Sequence, residues 1–145
     1  AIEGAPEDLV INTHVCRGNF HSTYASSGAY DRVAETLFAR ENVSAYYLEF
    51  DDARSGGFEP LKSVNGDKKV VLGLITTKSS KLEDKEDVIK RIHEAAKYVP
   101  LERLYLSPQC GFASCEIGNK LTEEEQWKKL ALVKEIAEEV WGEEK

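Results

Sequence analysis

Four residues of metal-binding type lie far apart in the sequence: His14, Cys16, Glu49 and Cys110. Two thiolates, one imidazole and one carboxylate form a ligand set that suits Zn²⁺, an ion usually bound tetrahedrally by sulfur, nitrogen and oxygen. These ligands would carry about three negative charges against the two positive charges of the ion, so the bound zinc would be electron-rich. Such a site suits the binding and delivery of a thiolate better than the activation of water, for which neutral histidine ligands are more usual.

Each of these residues also has a simpler interpretation when it is taken alone. A single buried cysteine often behaves as a small apolar side chain, and this applies to both Cys16 and Cys110. His14 could be a hydrogen-bonded histidine at the end of a strand, and Glu49 could be a salt-bridge partner. Glu49 follows the apolar run 45–48, where an unpaired carboxylate would be costly. The residue types and their spacing leave both interpretations open.

The elements that would position these residues are strands that alternate with helices. Four runs rich in Val, Ile, Leu and Tyr predict strands, and their nearly continuous apolar character is typical of a parallel sheet buried on both faces. The runs are residues 8–16, 44–50, 69–76 and 101–108. The candidate ligands lie at the ends of the first and second runs and two residues after the fourth. Because the carboxyl ends of parallel strands open onto one face, we expect the four side chains to converge there.

Helical periodicity predicts helices over residues 30–40, over 84–99 and from Thr122 onward. Pro100 would stop the second helix, and Thr122 with Glu125 forms a capping-box pattern at the start of the third. The residues of the third helix that we expect to be buried are Trp127, Leu130, Leu132, Val133, Ile136, Ala137 and Val140. The alternating order predicts an α/β fold with right-handed crossovers.

The number of βα units limits the choice of architecture. Four units are about half of an eight-unit barrel, which typically needs about 250 residues, and this chain has 145. A small open α/β sheet is the alternative. The sequence begins Ala-Ile-Glu-Gly and contains no methionine, so we expect it to be a fragment of a longer protein.

Composition limits the class of partner. The chain has 19 Lys and Arg against 26 Asp and Glu, a net charge of −7, which argues against nucleic acid or an anionic membrane surface as the main partner. No apolar run approaches the roughly 20 residues that span a bilayer. Three cysteines without the spacing of a small secreted domain favour the reducing cytoplasm, and metal or catalytic use of the thiols.

Three segments carry a resemblance to a known family: residues 13–19 (THVCRGN), 47–52 (YLEFDD) and 106–112 (LSPQCGF). They resemble the C-terminal catalytic part of the cobalamin-independent methionine synthase family, especially its short single-barrel bacterial members. The resemblance implies a (β/α)8 TIM barrel, of which residues 1–145 would be the C-terminal half-barrel with strands five to eight. It also implies that the four candidate ligands bind a catalytic zinc ion.

The resemblance implies a reaction as well. Zinc would bind and deprotonate the sulfur of homocysteine, and the thiolate would take a methyl group from a methyltetrahydrofolate-like donor to give methionine. The family's two-domain enzymes place an aspartate and a histidine, which protonate the leaving group, after the seventh strand. Thr76 and Lys78 stand at those positions here, so the proton donor and the methyl donor are in question. Lys78 is the candidate catalytic residue, as a proton donor or an anion-binding group; a solvated loop lysine is the alternative.

Other residues near the predicted ligands are candidates for substrate contacts. Arg17 and Arg54 each follow a ligand closely and could hold a substrate carboxylate, although a solvated or salt-bridged arginine is the alternative. His21 lies in a mostly polar loop near the site and is a second candidate substrate contact. Asp51 and Asp52 could orient the metal ligands.

Three functional hypotheses remain open. The first is a zinc-dependent methyltransferase of the methionine synthase type, and the second is a related zinc-thiolate alkyltransferase or lyase that acts on another thiol. The third is a non-catalytic half-barrel, because about half of the family's substrate pocket would be missing. A half-barrel also exposes two sheet edges, so we expect self-association through them.

Overall fold

The computed structural model describes residues 2–142, which form a four-stranded parallel sheet with the strand order β1-β2-β3-β4. The strands are β1 (Asn12–Val15), β2 (Ala45–Glu49), β3 (Lys69–Ile75) and β4 (Leu104–Pro108), and the α-helices are α1 (Lys85–Ala95) and α2 (Glu123–Trp141). The predicted α/β class and the predicted parallel pairing of the strands are confirmed. Strand β1 is shorter than predicted, because the chain before Ile11 lies outside the ladder and leaves Leu9 and Val10 exposed.

The core lies between one face of the sheet and the helices. Alternate strand residues such as Tyr46, Leu48 and Leu72 point into it and are fully buried. Helix α1 contributes Val88 and Ile92 from its apolar stripe. Each α-helix begins at a capped N-terminus, since the side chain of Asp84 accepts a backbone hydrogen bond in α1 and Thr122 forms the predicted capping box in α2.

The opposite face of the sheet carries several exposed side chains. The residues paired across it in one row are His14, Tyr47, Val71 and Tyr105. Tyr47 and Tyr105 are both exposed, although they lie on central and edge strands of a parallel sheet. A complete barrel would enclose this row of side chains in its interior, so this face of the sheet corresponds to the inside of the barrel.

The helix predicted over 30–40 is irregular. The structure has a 3₁₀ turn at Tyr30–Arg32 and a π-helical turn at Glu35–Ala39. The carbonyl oxygen of Leu37 accepts from the hydroxyl of Tyr46 at 2.6 Å, and that of Phe38 accepts from the ammonium of Lys68 at 3.0 Å. These carbonyls lie in the last turn of the segment, where a helix leaves its carbonyls without a full set of partners, so side chains from outside the segment also bond to them.

The predicted buried side of α2 is confirmed in part, since Leu132, Val133 and Val140 pack against the core. Trp127 is 60% exposed, so its predicted burial is wrong, whereas Lys129 is fully buried. The Lys129 ammonium donates to the carbonyl oxygen of Lys81 at 2.8 Å and pairs with the carboxylate of Glu83 at 3.1 Å. Ile136 is fully buried, as predicted. Within residues 2–142, no helix has the length and apolar character needed to cross a membrane.

Candidate metal centre

The four predicted ligands meet at the carboxyl ends of three strands. His14 belongs to β1, Cys16 follows it, Glu49 ends β2, and Cys110 lies in the loop after β4. One donor atom from each residue lies within 4.8 Å of the others. The sheet therefore brings together residues that are up to 96 positions apart in the sequence.

The distances between donor atoms can be compared with those around a zinc ion. Bonds of about 2.3 Å to sulfur and 2.0–2.2 Å to nitrogen or oxygen put tetrahedral ligand atoms about 3.5–3.8 Å apart. Cys110 Sγ lies 3.7 Å from Cys16 Sγ, 3.6 Å from His14 Nε2 and 3.4 Å from Glu49 Oε1, in or next to this range. Both cysteines are free, with sulfurs well beyond the about 2.05 Å of a disulfide. The donor set and its spacing fit a tetrahedral zinc ion.

The imidazole of His14 is oriented by the neighbouring strand. Its Nδ1 lies 3.2 Å from the carbonyl oxygen of Tyr47, which can only accept, so Nδ1 carries the hydrogen. The lone pair is then on Nε2, the atom that faces Cys110. A ligating histidine is commonly oriented in this way by a carbonyl on its other nitrogen.

The carboxylate of Glu49 is completely buried and is compensated from several sides. Its Oε2 accepts from the backbone N–H of Arg17 at 3.1 Å, and its Oε1 accepts from the side-chain amide of Gln109. The guanidinium groups of Arg17 and Arg54 lie 3.8 and 3.9 Å from Oε2. These contacts stabilise an ionised carboxylate in a place where it would otherwise be costly.

The electrostatics of Cys110 fit a cation-binding site. Burial, and then the nearby Cys16 and Glu49, raise the pKa of the Cys110 thiol to about 12. Three groups that would be negative when ionised thus oppose each other at one point, and a bound dication would offset that repulsion. The Sγ of Cys16 also accepts a hydrogen bond from the N–H of Gly18 at 3.2 Å.

An open cavity of about 480 Å³ gives access to the site. Its lining includes His14, Cys16 and Cys110 together with Tyr47 and Ser114. Its volume is in the range of small-molecule sites, so a ligand could reach the two sulfur atoms from this side.

Comparison with known proteins identifies the family. The sequence model described as "Cobalamin-independent synthase, Catalytic domain" matches residues 1–139. The chain belongs to this family. A Bacillus subtilis member, the uncharacterized protein YxjG, is 56% identical over 142 residues, which are 97% of this chain and 38% of that protein.

Two solved structures of B12-independent methionine synthases share the fold. The putative enzyme of Listeria monocytogenes matches with a TM-score of 0.74 and 45% identity over 98% of this chain and 38% of its own. The enzyme of Shewanella sp. W3-18-1, in complex with selenomethionine, matches with a TM-score of 0.75 and 25% identity over 96% of this chain and 40% of its own. The likeness to these barrel domains confirms the predicted half-barrel. The chain spans about two fifths of such relatives or less.

In this member of the cobalamin-independent synthase family, Arg17 is largely enclosed by the protein, with 7% of its surface exposed. Its Nε and Nη2 donate to the carbonyl oxygen of Gly28 at 3.0 and 2.7 Å, and its Nη1 donates to the hydroxyl of Tyr30 at 2.8 Å. This geometry favours the salt-bridged interpretation, in which Arg17 compensates the negative charge of Glu49. A contact between Arg17 and substrate stays a prediction.

The guanidinium of Arg54 donates hydrogen bonds to two aspartates that lie shortly before it in the sequence. Its Nη2 donates to Asp51 at 3.0 Å and its Nε donates to Asp52 at 3.0 Å. These aspartates therefore orient Arg54, which in turn faces Glu49, and any effect on the metal ligands would pass through the arginine.

His21 lies outside the group of four donor atoms. It occupies a tight turn in which both His21 and Ser22 have positive φ, and Phe20 and Thr23 pair across the turn. Its Nδ1 donates to the carbonyl oxygen of Gly118 at 3.2 Å, which ties the turn to the loop after β4. The predicted contact of His21 with substrate stays a prediction.

Thr76 and Lys78 lie in the loop after β3. They occupy the two positions at which the two-domain members of the family are expected to carry aspartate and histidine. The Nζ of Lys78 donates to Gln109 Oε1 at 2.6 Å, so Lys78 reaches Glu49 through one intervening side chain. Burial lowers the pKa of Lys78, and the carboxylate of Asp51 opposes that effect.

Sequence reasoning missed three neutral side chains around the site. Gln109, Thr77 and Asn19 are buried and joined by hydrogen bonds at the strand ends. Asn19 and Gln109 lie inside the motifs that carried the family resemblance. An amide carries no charge or metal preference of its own, so only its place beside a ligand could have drawn attention to it.

Proposed function

We propose that this chain is the zinc-binding part of a methyltransferase that transfers a methyl group to the thiol of homocysteine and forms methionine. The domain in question comprises residues 1–145, and the donor is a methyltetrahydrofolate-like molecule. The observation that carries the proposal is the convergence of two sulfurs, one imidazole nitrogen and one carboxylate oxygen within 4.8 Å of one another. Cys110 Sγ lies at tetrahedral separations from the other three donor atoms. Membership of the cobalamin-independent synthase family supports it. Because the chain covers only part of its relatives, the activity is proposed for the whole protein.

The four candidate ligands would serve the thiol side of the reaction. His14, Cys16, Glu49 and Cys110 would hold zinc, which when bound lowers the pKa of a coordinating thiol so that the thiolate is present at neutral pH. The sulfur of the substrate attacks the methyl carbon, the S–C bond forms, and the bond from the methyl group to the donor nitrogen breaks with its electron pair. The nitrogen then takes a proton.

Lys78 is the residue of this chain that we propose for the donor side of the reaction. It lies in the loop after β3, where the family's two-domain enzymes are expected to have their histidine. Its half-buried ammonium has hydrogens beyond the one donated to Gln109, and these could protonate the leaving nitrogen or bind an anionic group of the donor.

A related zinc-thiolate alkyltransferase or lyase, acting on another thiol, is the second candidate. The replacement of the expected aspartate by Thr76 favours it, since a threonine hydroxyl is far too weak an acid to supply a proton as a carboxylic acid does. The third candidate is a half-barrel without catalysis. It applies to the 145-residue piece alone, which we expect to be inactive because its relatives are more than twice as long.

The proposal includes a cytoplasmic location and small-molecule partners. Three free thiols in this chain need a reducing compartment to stay available for a metal. Self-association of the isolated half-barrel through the edges of β1 and β4 stays a prediction, and light scattering tests it: a uniform monomer would count against it.

Metal analysis of the full-length protein tests the ligand set. Wild type should contain one zinc ion, Cys110→Ser should lose most of it, and Cys115→Ser should keep it, because Cys115 is a free cysteine outside the group of four. Equal zinc content in wild type and Cys110→Ser would contradict the assignment. Methyl transfer from methyltetrahydrofolate to homocysteine, measured with zinc loaded, tests the activity. No turnover with a full complement of zinc would exclude the first candidate and favour the second.

A further inference from the structure

Gln109 occupies a fixed position next to a proposed metal ligand. It directly precedes Cys110 and is 3% exposed, and its backbone N–H donates to the carbonyl oxygen of Ile75 at 2.7 Å. This bond fixes the backbone of Gln109 against β3, so only its side-chain amide can adopt alternative orientations.

The two ends of that amide meet charged groups of opposite sign. Its Nε2 donates to Glu49 Oε1, while its Oε1 accepts from Lys78 Nζ at 2.6 Å and from Thr77 Oγ1 at 3.0 Å. An ammonium can only donate and an ionised carboxylate can only accept. A reversed amide would set its carbonyl against the carboxylate and its NH₂ group against the ammonium, so the charges at both ends select one orientation.

A second amide supports the same arrangement. Asn19 Nδ2 donates to Thr77 Oγ1 at 3.1 Å and to the carbonyl oxygen of Gly111 at 3.1 Å. The Thr77 hydroxyl accepts from Asn19, so its own hydrogen is free to donate to Gln109. The loops after β1, β3 and β4 thereby join in one chain of hydrogen bonds that ends on Glu49.

We infer that Gln109 is a positioning residue for Glu49, and that Lys78 acts on the metal centre by fixing the direction of the Gln109 amide. This inference rests on the proposed zinc site. It gives Lys78 a role that differs from proton donation: Glu49 Oε1 faces both Gln109 and Cys110, so the orientation of the amide determines where that oxygen can bind an ion. Partners of this kind typically change metal affinity about 10- to 100-fold.

The test measures zinc affinity by competition with a chromophoric chelator, and the absorption spectrum of the Co²⁺-loaded site, in the full-length protein. Gln109→Leu should weaken zinc binding about 10- to 100-fold and shift the Co²⁺ bands. Lys78→Met should do the same to a smaller extent, and Lys78→Arg should restore most of the affinity. The controls are Gln126→Leu, which changes the second glutamine of the chain on α2, and Lys97→Met, which changes an exposed lysine beyond α1.

A double-variant comparison isolates the connection between the two residues. If Lys78 acts through Gln109, Lys78→Met should add nothing to Gln109→Leu. Fully additive losses, or wild-type affinity and spectrum in Lys78→Met, would overturn the inference. Lys78→Met keeps the test valid if Gln109→Leu does not fold, because Lys78 is only half-buried. Wild type and Cys110→Ser in the same titration separate this outcome from failure of the zinc proposal: absence of zinc binding in wild type overturns both.

Discussion

His14 and Tyr47 are register partners in the β1–β2 ladder, and the imidazole Nδ1 of the first donates to the carbonyl oxygen of the second at 3.2 Å. The hydrogen bond makes the direction of a proposed metal ligand depend on strand pairing. A slip of one residue between β1 and β2 would turn His14 to the other face of the sheet. The proposed metal centre therefore depends on the register of the sheet as well as on the identity of its ligands.

Gly73 maintains the close approach of strands beside the site. A Cβ at this position would lie 2.7 Å from the carbonyl oxygen of Leu48 and 3.0 Å from the Cα of Gln109. Gly73→Ala should therefore displace β2 and the loop after β4, lower the free energy of unfolding by about 1–3 kcal/mol and weaken zinc binding. Urea denaturation and chelator competition measure the two effects. Gly57→Ala is the control, since its Cβ would meet nothing within 4 Å; equal behaviour of the two variants would contradict the prediction.

Arg17 should be needed for folding more than for substrate binding. Its guanidinium is bonded to Gly28 and Tyr30 and lies 3.8 Å from the carboxylate of Glu49. Arg17→Met leaves that carboxylate with less compensation, so we expect a loss of about 3–5 kcal/mol in the free energy of unfolding. Thermal and urea denaturation measure it, with the exposed Arg32→Met as control. A variant of normal stability with a raised KM for the thiol would instead support the substrate contact.

The buried Lys129 should be a strong determinant of how α2 docks. Its ammonium is fully buried against Glu83, whose carboxylate also accepts from the N–H of Thr76 at 2.9 Å. We expect Lys129→Met to cost about 3 kcal/mol, the lower end of the range for breaking a buried pair, because Glu83 is partly exposed.

Two further variants test the cause of that loss. Adding Glu83→Gln to Lys129→Met should recover part of the stability, since the unpaired carboxylate is removed. Lys128→Met breaks the exposed pair with Glu124 and should leave the free energy of unfolding nearly unchanged. Equal losses for the Lys128 and Lys129 variants would show that burial of the pair has no effect.

The ionisation of Tyr46 should lower the stability of the protein at alkaline pH. Burial, and then the charge of Glu41, raise the pKa of the Tyr46 phenol from 10.0 to about 12. Above pH 10 the unfolded chain loses this proton and the folded chain keeps it, so the free energy of unfolding should fall between pH 10 and about 12. Below pH 10 both states are protonated and this residue gives no pH dependence.

Urea unfolding at a series of pH values measures that slope. Tyr46→Phe should be less stable at neutral pH by about 1 kcal/mol, because it loses the hydrogen bond to Leu37, and its alkaline slope should be smaller. The slope should not vanish, since burial also raises the pKa of Tyr30. Tyr98→Phe, at an exposed position, is the control for the loss of a phenol hydroxyl. An unchanged slope in Tyr46→Phe would refute the assignment.

The sequence was sufficient to predict features that depend on residue type and on local pattern. Apolar runs located the strands, and the rule that parallel strands end on one face brought Cys16 and Cys110 together before any distance was known. The capping box at Thr122 was also predictable, because it depends on residues only three positions apart.

Features that depend on a distant partner were not predictable. The apolar period of α2 indicated that Trp127 is buried, but the helix is docked by Lys129 and its partner Glu83, which lies 46 residues earlier. In the same way, the partners of Arg17 include a backbone carbonyl and a phenol hydroxyl, whose proximity no motif encodes. The amide of Gln109 belongs to this group, since its orientation is set by charges on two other loops.

Cys16 and Cys110 belong to loops after the two outermost strands of the sheet and are 94 residues apart in the sequence. In the folded chain the sheet already holds the two cysteines next to each other. An unfolded chain would have to lose chain entropy worth about 5 kcal/mol to bring both thiolates to one ion. An ion held by both would therefore bind the folded state in strong preference to the unfolded one. By mass action, the melting temperature of the protein should rise with the concentration of free zinc.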